Sequence, residues 1–79
     1  MSPTFFRYKN LRFYVNSREE RRKHIHVQSP DGEVKVWLEP DIQLARNYGV
    51  KESQLKEILT IVGEKKHELN ELWDKHFKL

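Results

Sequence analysis

The sequence predicts an α+β domain in which an antiparallel sheet of four or five strands packs against one long C-terminal helix. The first forty or so residues alternate apolar and polar side chains with a period of two, which is typical of half-buried strands. From residue 51 onward the apolar residues recur every three to four positions, which indicates an amphipathic helix. Each part has one apolar face, so each needs the other to bury it. We expect a single domain, 1–79, with strands over about 4–46 and the helix over about 51–77.

The first two strands are short and joined by a tight turn. The segment from Phe5 to Lys9 is rich in aromatic residues, and Lys9-Asn10 is a plausible turn although it lacks a glycine. In the second strand, apolar and polar side chains alternate from residue 11 to residue 16. Residues 17–23 contain no apolar side chain, so they have nothing to bury and are expected to form an exposed loop or a single helical turn.

The third and fourth strands are predicted to form a hairpin. Residues 24–28 place Ile25 and Val27 on one face, and residues 33–38 continue the alternation. Between them, Ser29-Pro30-Asp31-Gly32 is the clearest turn sequence in the chain, because proline presets φ and glycine tolerates unusual backbone angles. Pro40 ends regular pairing or marks an edge strand, and residues 42–45 indicate a short fifth strand.

The C-terminal helix contains a glycine near its middle. A seven-residue step through Leu55, Val62, Leu69 and His76 continues across Gly63. We therefore expect one long helix, or two nearly collinear helices with a kink at Gly63.

Composition narrows the function classes. The chain has no cysteine, which excludes a disulfide framework and a thiolate zinc site. No segment approaches the roughly 18 continuous apolar residues of a membrane span, and the N-terminus does not resemble a secretory signal, so we expect a cytoplasmic protein with no membrane partner. The net charge is +3, but residues 1–32 carry +4 and the remainder −1. This asymmetry suits an acidic partner or nucleic acid, although an ordinary solvated surface would show it too.

Two histidines carry the most suggestive chemistry. His24 and His26 are two apart on a strand, so they project from one face roughly 7 Å apart. If the hairpin pairs about residues 30–31, Lys35 and Trp37 share that face. His24 and His26 would then serve as general base and acid, with Lys35 stabilising charge, in a metal-independent ribonuclease-like reaction that needs no cofactor. The alternative is that the two imidazoles are simply polar residues on a half-exposed strand. Two histidines without a third ligand of suitable spacing are a weak metal signal, which Asp31, Glu33 or a second subunit could complete, so no metal ligands are assigned.

Several cations and rings are candidates for binding nucleic acid or a partner. Trp37 lies on the polar face of its strand and is either a partner contact or an intramolecular packing residue, whereas Trp73 has the spacing of a core residue. The basic run before the histidines either binds phosphates or is a solvated loop. The candidate binding residues are Arg12, Tyr14, Arg18, Arg21, Arg22, Lys23 and Trp37.

The sequence also resembles a known family over nearly its whole length. The segments His24-Ile25-His26-Val27 and Trp37-Leu38-Glu39-Pro40, with the spacing between them, are similar to the small bacterial domain of unknown function numbered four-one-six-zero. The similarity extends through Leu44 to Gly49 and along the helix to Phe77.

The resemblance implies a bacterial domain that occurs beside another small domain, in an arrangement typical of toxin–antitoxin pairs. We therefore expect one component of a toxin–antitoxin-like module that binds a small protein partner, with RNA as a further candidate ligand and self-association as another. A non-enzymatic protein-interaction module and a metal-binding domain are the alternatives.

Overall fold

The computed structural model describes residues 4–16 and 21–77. Five strands form one sheet in the order β1-β2-β3-β4-β5, and every neighbouring pair is antiparallel. Two helices follow, so the predicted α+β class is confirmed. The elements are β1 (Thr4–Tyr8), β2 (Leu11–Tyr14), β3 (His24–Gln28), β4 (Glu33–Trp37), β5 (Gln43–Tyr48), α1 (Glu52–Glu64) and α2 (Lys66–Phe77). Neither helix, over the residues described, is long and apolar enough to cross a membrane.

Both predicted tight turns are present. Tyr8 lies opposite Leu11, so Lys9 and Asn10 form a two-residue hairpin turn. Lys9 adopts a φ of 53°, the left-handed conformation for which glycine would be the usual choice. In the β3–β4 turn, the Ser29 amide donates to the Gly32 carbonyl at 2.8 Å, and the Gly32 amide donates back at 3.3 Å. These turns fix the register of the strands that carry the candidate site.

The apolar core lies between one face of the sheet and the helices. Val27 of β3 lies opposite Phe13 of β2 and Val34 of β4, and all three side chains are fully buried. The helices contribute buried apolar residues to the same cluster, namely Ile58, Ile61, Val62, Leu69 and Trp73. The prediction that Trp73 is a core residue is therefore confirmed.

The C-terminal helix is divided close to the predicted position. Gly63 lies inside α1, and the break falls at Lys65, where φ is −100° and ψ is 11°. The Lys65 amide donates to the Ile61 carbonyl at 2.9 Å, and the Lys65 carbonyl accepts from the Leu69 amide at 2.8 Å. Lys65 therefore takes part in i to i+4 hydrogen bonds with both helices although it belongs to neither. Of the two predicted alternatives, two helices is the correct one.

The fifth strand is longer than predicted and is irregular. It ends at Tyr48, and Ala45 forms a bulge because Lys35 lies opposite Arg46 while the next residue of β4, Val36, lies opposite Leu44. Such an extra residue increases the local twist of a strand.

Candidate functional site

The predicted polar face exists and spans the sheet. One row of directly opposed residues runs across four strands, from Tyr14 of β2 through His26 and Lys35 to Arg46 of β5. His24 lies opposite Trp37 in the neighbouring row. The register about residues 30–31 therefore brings together the residues that the sequence placed on one face. We call this the histidine face; its strand residues include Arg7, Arg12, Tyr14, His24, His26, Gln28, Glu33, Lys35, Trp37, Arg46 and Tyr48.

Two pairs of like charges lie directly opposite each other on the histidine face. Arg7 of β1 is opposed to Arg12 of β2, and Lys35 of β4 is opposed to Arg46 of β5. Like charges at directly opposed positions destabilise an antiparallel pair. Among the strands as described, the acidic side chains are limited to Glu33. Arg12 also donates to the Thr4 hydroxyl at 2.7 Å and Arg46 to the Tyr48 hydroxyl at 3.1 Å, so a bound anion would add to the contacts that these cations already make within the chain.

Aromatic rings on this face are covered by cations. The Arg12 guanidinium lies 4.5 Å from the centre of the Tyr14 ring. The Trp37 ring has Arg22 at 4.1 Å and Lys35 at 4.6 Å from its centre. Cation–π contacts of this kind hold the charged groups against the sheet. Trp37 is half-buried, so intramolecular packing accounts for much of its surface.

His24 is enclosed within the protein. Its side chain is 0% exposed, and its ring makes edge contacts with Trp37 and Trp73 at centroid distances of 5.8 and 5.1 Å. Nδ1 lies 2.7 Å from the Arg22 carbonyl oxygen, so Nδ1 carries the proton that this bond requires. The imidazole thus links the start of β3 to α2, and substrate atoms have no direct access to it.

His26 belongs to a second group, in which Tyr14 is also buried and Glu33 is partly exposed. The Tyr14 ring stacks on His26 with a centroid separation of 5.1 Å, and its hydroxyl donates to a Glu33 carboxylate oxygen. The other carboxylate oxygen is 3.9 Å from His26 Nδ1. From the sequence alone, Glu33 was considered only as a possible third metal ligand and was not among the predicted site residues, although its alternation with Lys35 and Trp37 along β4 places all three on one face.

The basic segment before the histidines has different roles along its length. Lys23 Nζ lies 2.8 Å from Asp74 Oδ1 and 3.3 Å from Asn70 Oδ1, so this ammonium group ties β3 to α2. Arg22 donates from Nε to the Glu39 carbonyl at 3.0 Å while its guanidinium covers Trp37. Arg21 is exposed. Arg18, another candidate, lies outside the described residues.

Two further features bear on the site. In the part of the chain that the structure describes, no three potential metal-ligating side chains cluster together. A shallow groove lies between the β4–β5 connection and the helix junction, and none of the predicted site residues lines it.

Comparisons with known proteins identify a family for this chain but do not indicate an activity. A search of curated proteins finds no match, and a search of solved structures finds none either. A family model described as a domain of unknown function, DUF4160, matches residues 10–74. This match covers most of the chain, including β2 to β5 and nearly all of both helices. The chain therefore belongs to the DUF4160 family.

Proposed function

We propose that this chain is one component of a toxin–antitoxin-like pair, which binds RNA through the cations of the histidine face and also binds a small protein partner. The observation that carries the RNA part is the presence of two opposed cation pairs, Arg7–Arg12 and Lys35–Arg46, on one face of the sheet. The expectation of a toxin–antitoxin context comes from the family resemblance.

Phosphate binding explains why the cation pairs are useful. Neutralising phosphates releases condensed counterions, which favours binding and offsets the repulsion between opposed cations. On the same face, Tyr48 is 56% exposed and offers a ring on which an unpaired base can stack. Single-stranded RNA presents both groups at once, a phosphate backbone and accessible bases, so it is the preferred ligand class.

The binding test compares two double variants with the same net charge. Fluorescence anisotropy of a short labelled single-stranded RNA is measured against salt concentration. Lys35→Gln/Arg46→Gln removes one cation pair, whereas Lys56→Gln/Lys66→Gln removes two exposed helix charges. The first should weaken binding by about tenfold or more and reduce the salt slope by about 0.7 for each lost phosphate contact. Equal losses in both variants would show that only the overall charge matters, and would refute a site on this face.

Cleavage of the bound RNA is the finer form of the proposal. His24 and His26 would act as general base and acid, with Lys35 or Arg22 stabilising the charged phosphorane. Because His24 is fully buried, a role as general base would require its ring to become accessible when RNA binds, so His26→Ala is tested alone as well as in the double variant. Bacterial growth after induced expression should stop for the natural chain but not for a folded His24→Ala/His26→Ala variant. The cleavage rate should follow a bell-shaped pH curve, and a flat profile over about pH 5–8 would count against it.

A second candidate is a non-enzymatic protein-interaction module. The observation that favours it is the exposure of two large apolar side chains on β5, Leu44 at 39% and Tyr48 at 56%. Under this hypothesis, growth continues normally during expression, and replacing both histidines leaves partner binding intact in a folded variant. Trp37→Ala would weaken partner binding by more than about 1 kcal/mol, as expected for an important interface residue.

A further inference from the structure

We propose that the free edge of β5 is where the protein partner binds, and that the partner supplies an extended segment of alternating apolar and acidic residues as an added strand. This inference rests on the protein-partner part of the proposed function and names the chemistry of that partner. It does not depend on RNA binding.

The exposure of β5 supports an added strand. It is a terminal strand of the sheet, and five of its six residues are exposed. Leu44 lies opposite Val36, which is fully buried in the core, yet Leu44 itself is 39% exposed. The apolar layer therefore ends before it covers β5. An added strand would extend the sheet through main-chain hydrogen bonds and place an apolar side chain beside Leu44.

At the opposite edge of the sheet, β1 and the turn after it have side-chain contacts with both helices. Phe5 and Phe6 of β1 pack against the core, and the Phe5 ring meets His76 of α2 at a centroid distance of 6.2 Å. Lys9, directly after β1, forms an ion pair with Glu57 of α1 at 3.2 Å. Both helices thus contact the β1 end of the sheet, which leaves β5 as the better edge for a partner.

Charge identifies the kind of strand that fits. Arg46 on β5 is opposed by Lys35 on β4, so this edge carries two adjacent cations. A second copy of β5 would bring a further arginine toward them, and the bulge at Ala45 twists the edge away from a flat copy of itself. A partner strand with a carboxylate beside Arg46 would instead place an opposite charge next to this exposed guanidinium, which also donates to the Tyr48 hydroxyl at 3.1 Å. Lys35 and Arg46 are also the cations proposed to bind RNA, so an acidic strand bound at β5 would compete with RNA for them.

The direct test uses a synthetic peptide of alternating valine and glutamate, with a valine–lysine peptide as control, added to the full chain without RNA. Amide chemical shifts are followed by NMR. The valine–glutamate peptide should shift the amides of Gln43–Tyr48 and leave those of Thr4–Tyr8 in place. Absence of shifts in β5, or equal shifts in β1, would overturn the proposal whether or not the chain binds RNA.

Charge reversal provides the second measurement. Arg46→Glu should weaken binding of the valine–glutamate peptide by about tenfold or more and favour the valine–lysine peptide, whereas the matched variant Lys56→Glu, at an exposed position on α1, should change neither. Both variants are checked for cooperative unfolding, and Arg46→Gln replaces Arg46→Glu if the latter does not fold. Unchanged preference after Arg46 is replaced would refute the role of charge. Sedimentation showing a β5-mediated dimer of the natural chain would refute the heterologous partner.

Discussion

Replacing Gly32 by alanine, which adds a single methyl group, should force the backbone around the β3–β4 turn to move. A Cβ atom added there would lie 1.9 Å from the carbonyl oxygen of Tyr48 and 2.9 Å from its carbonyl carbon. Real Cβ contacts essentially never fall below 3.0 Å, so the β3–β4 turn and the end of β5 would have to separate by about 1.1 Å. Both opposing atoms belong to the backbone, and no side-chain rotation can relieve the clash.

The expected cost of Gly32→Ala follows from this geometry. Gly32 does not take a positive φ, so contact and not backbone strain is the obstacle. Overpacking that forces a backbone shift typically costs about 1–3 kcal/mol. The reduced entropy of the unfolded chain returns only about 0.4–1 kcal/mol where the native conformation is compatible with alanine. Because the clash is with backbone atoms, the cost should fall in the upper half of that range, and we expect a net loss of about 1–2.6 kcal/mol in the free energy of unfolding.

Urea unfolding followed by tryptophan fluorescence measures this loss. The control is Gly63→Ala, because a Cβ at Gly63 meets nothing within 4 Å and the residue lies inside α1. Alanine there should stabilise the protein by about 0.5–1 kcal/mol, the usual difference between the two residues in a helix. A Gly32→Ala variant as stable as the natural chain, measured beside a stabilised Gly63→Ala variant, would show that β5 does not approach the turn as described.

Two further predictions test the packing of the helices on the sheet. Leu69→Ala should lower the free energy of unfolding by about 2–5 kcal/mol, because Leu69 is 0% exposed. Leu72→Ala should lower it clearly less, because Leu72 is only half-buried. If urea unfolding gave similar losses for the two variants, the orientation of α2 would be contradicted. The hydrogen bond and negative charge of Glu57 raise the pKa of Lys9 above its ordinary value of 10.5. This contribution to stability is present below pH 10.5 and is lost as the pH rises through the raised pKa. Glu57→Gln should lower the Lys9 pKa in an NMR titration, and an unchanged pKa would place the two side chains apart.

The local elements were predictable because their signals are local. The period-two alternation, the Ser29–Gly32 turn and the change to helical spacing after residue 50 each depend on neighbouring residues. These local signals were sufficient to predict a hairpin in which His24, His26, Lys35 and Trp37 share one face. Gly63 suggested a helix break, but the break falls at Lys65, since a glycine with a helical backbone does not by itself end a helix.

The candidate site was only partly predictable. Lys35 and Trp37 were expected on the histidine face and do lie there, and the candidate binding residues Arg12 and Tyr14 lie on it as well. The contact of Glu33 with Tyr14 was not predicted, because it depends on a hydroxyl from β2 that reaches across β3. Lys23 was a candidate for phosphate binding, with a solvated loop as the alternative; in the structure its ammonium group contacts Asp74 and Asn70, about fifty residues later in the chain.

The sequence by itself determined the α+β class, the strand alternation, the family and the sharing of one face by the two histidines. Alternation decides which side of a strand a residue occupies, because successive side chains point in opposite directions. It does not decide what covers that side. Only the tertiary structure showed that Trp73 of α2 and Trp37 enclose His24, and that strand order opposes Arg7 to Arg12 and Lys35 to Arg46. Burial and cross-strand charge depend on contacts between distant segments, which no local pattern in the sequence records.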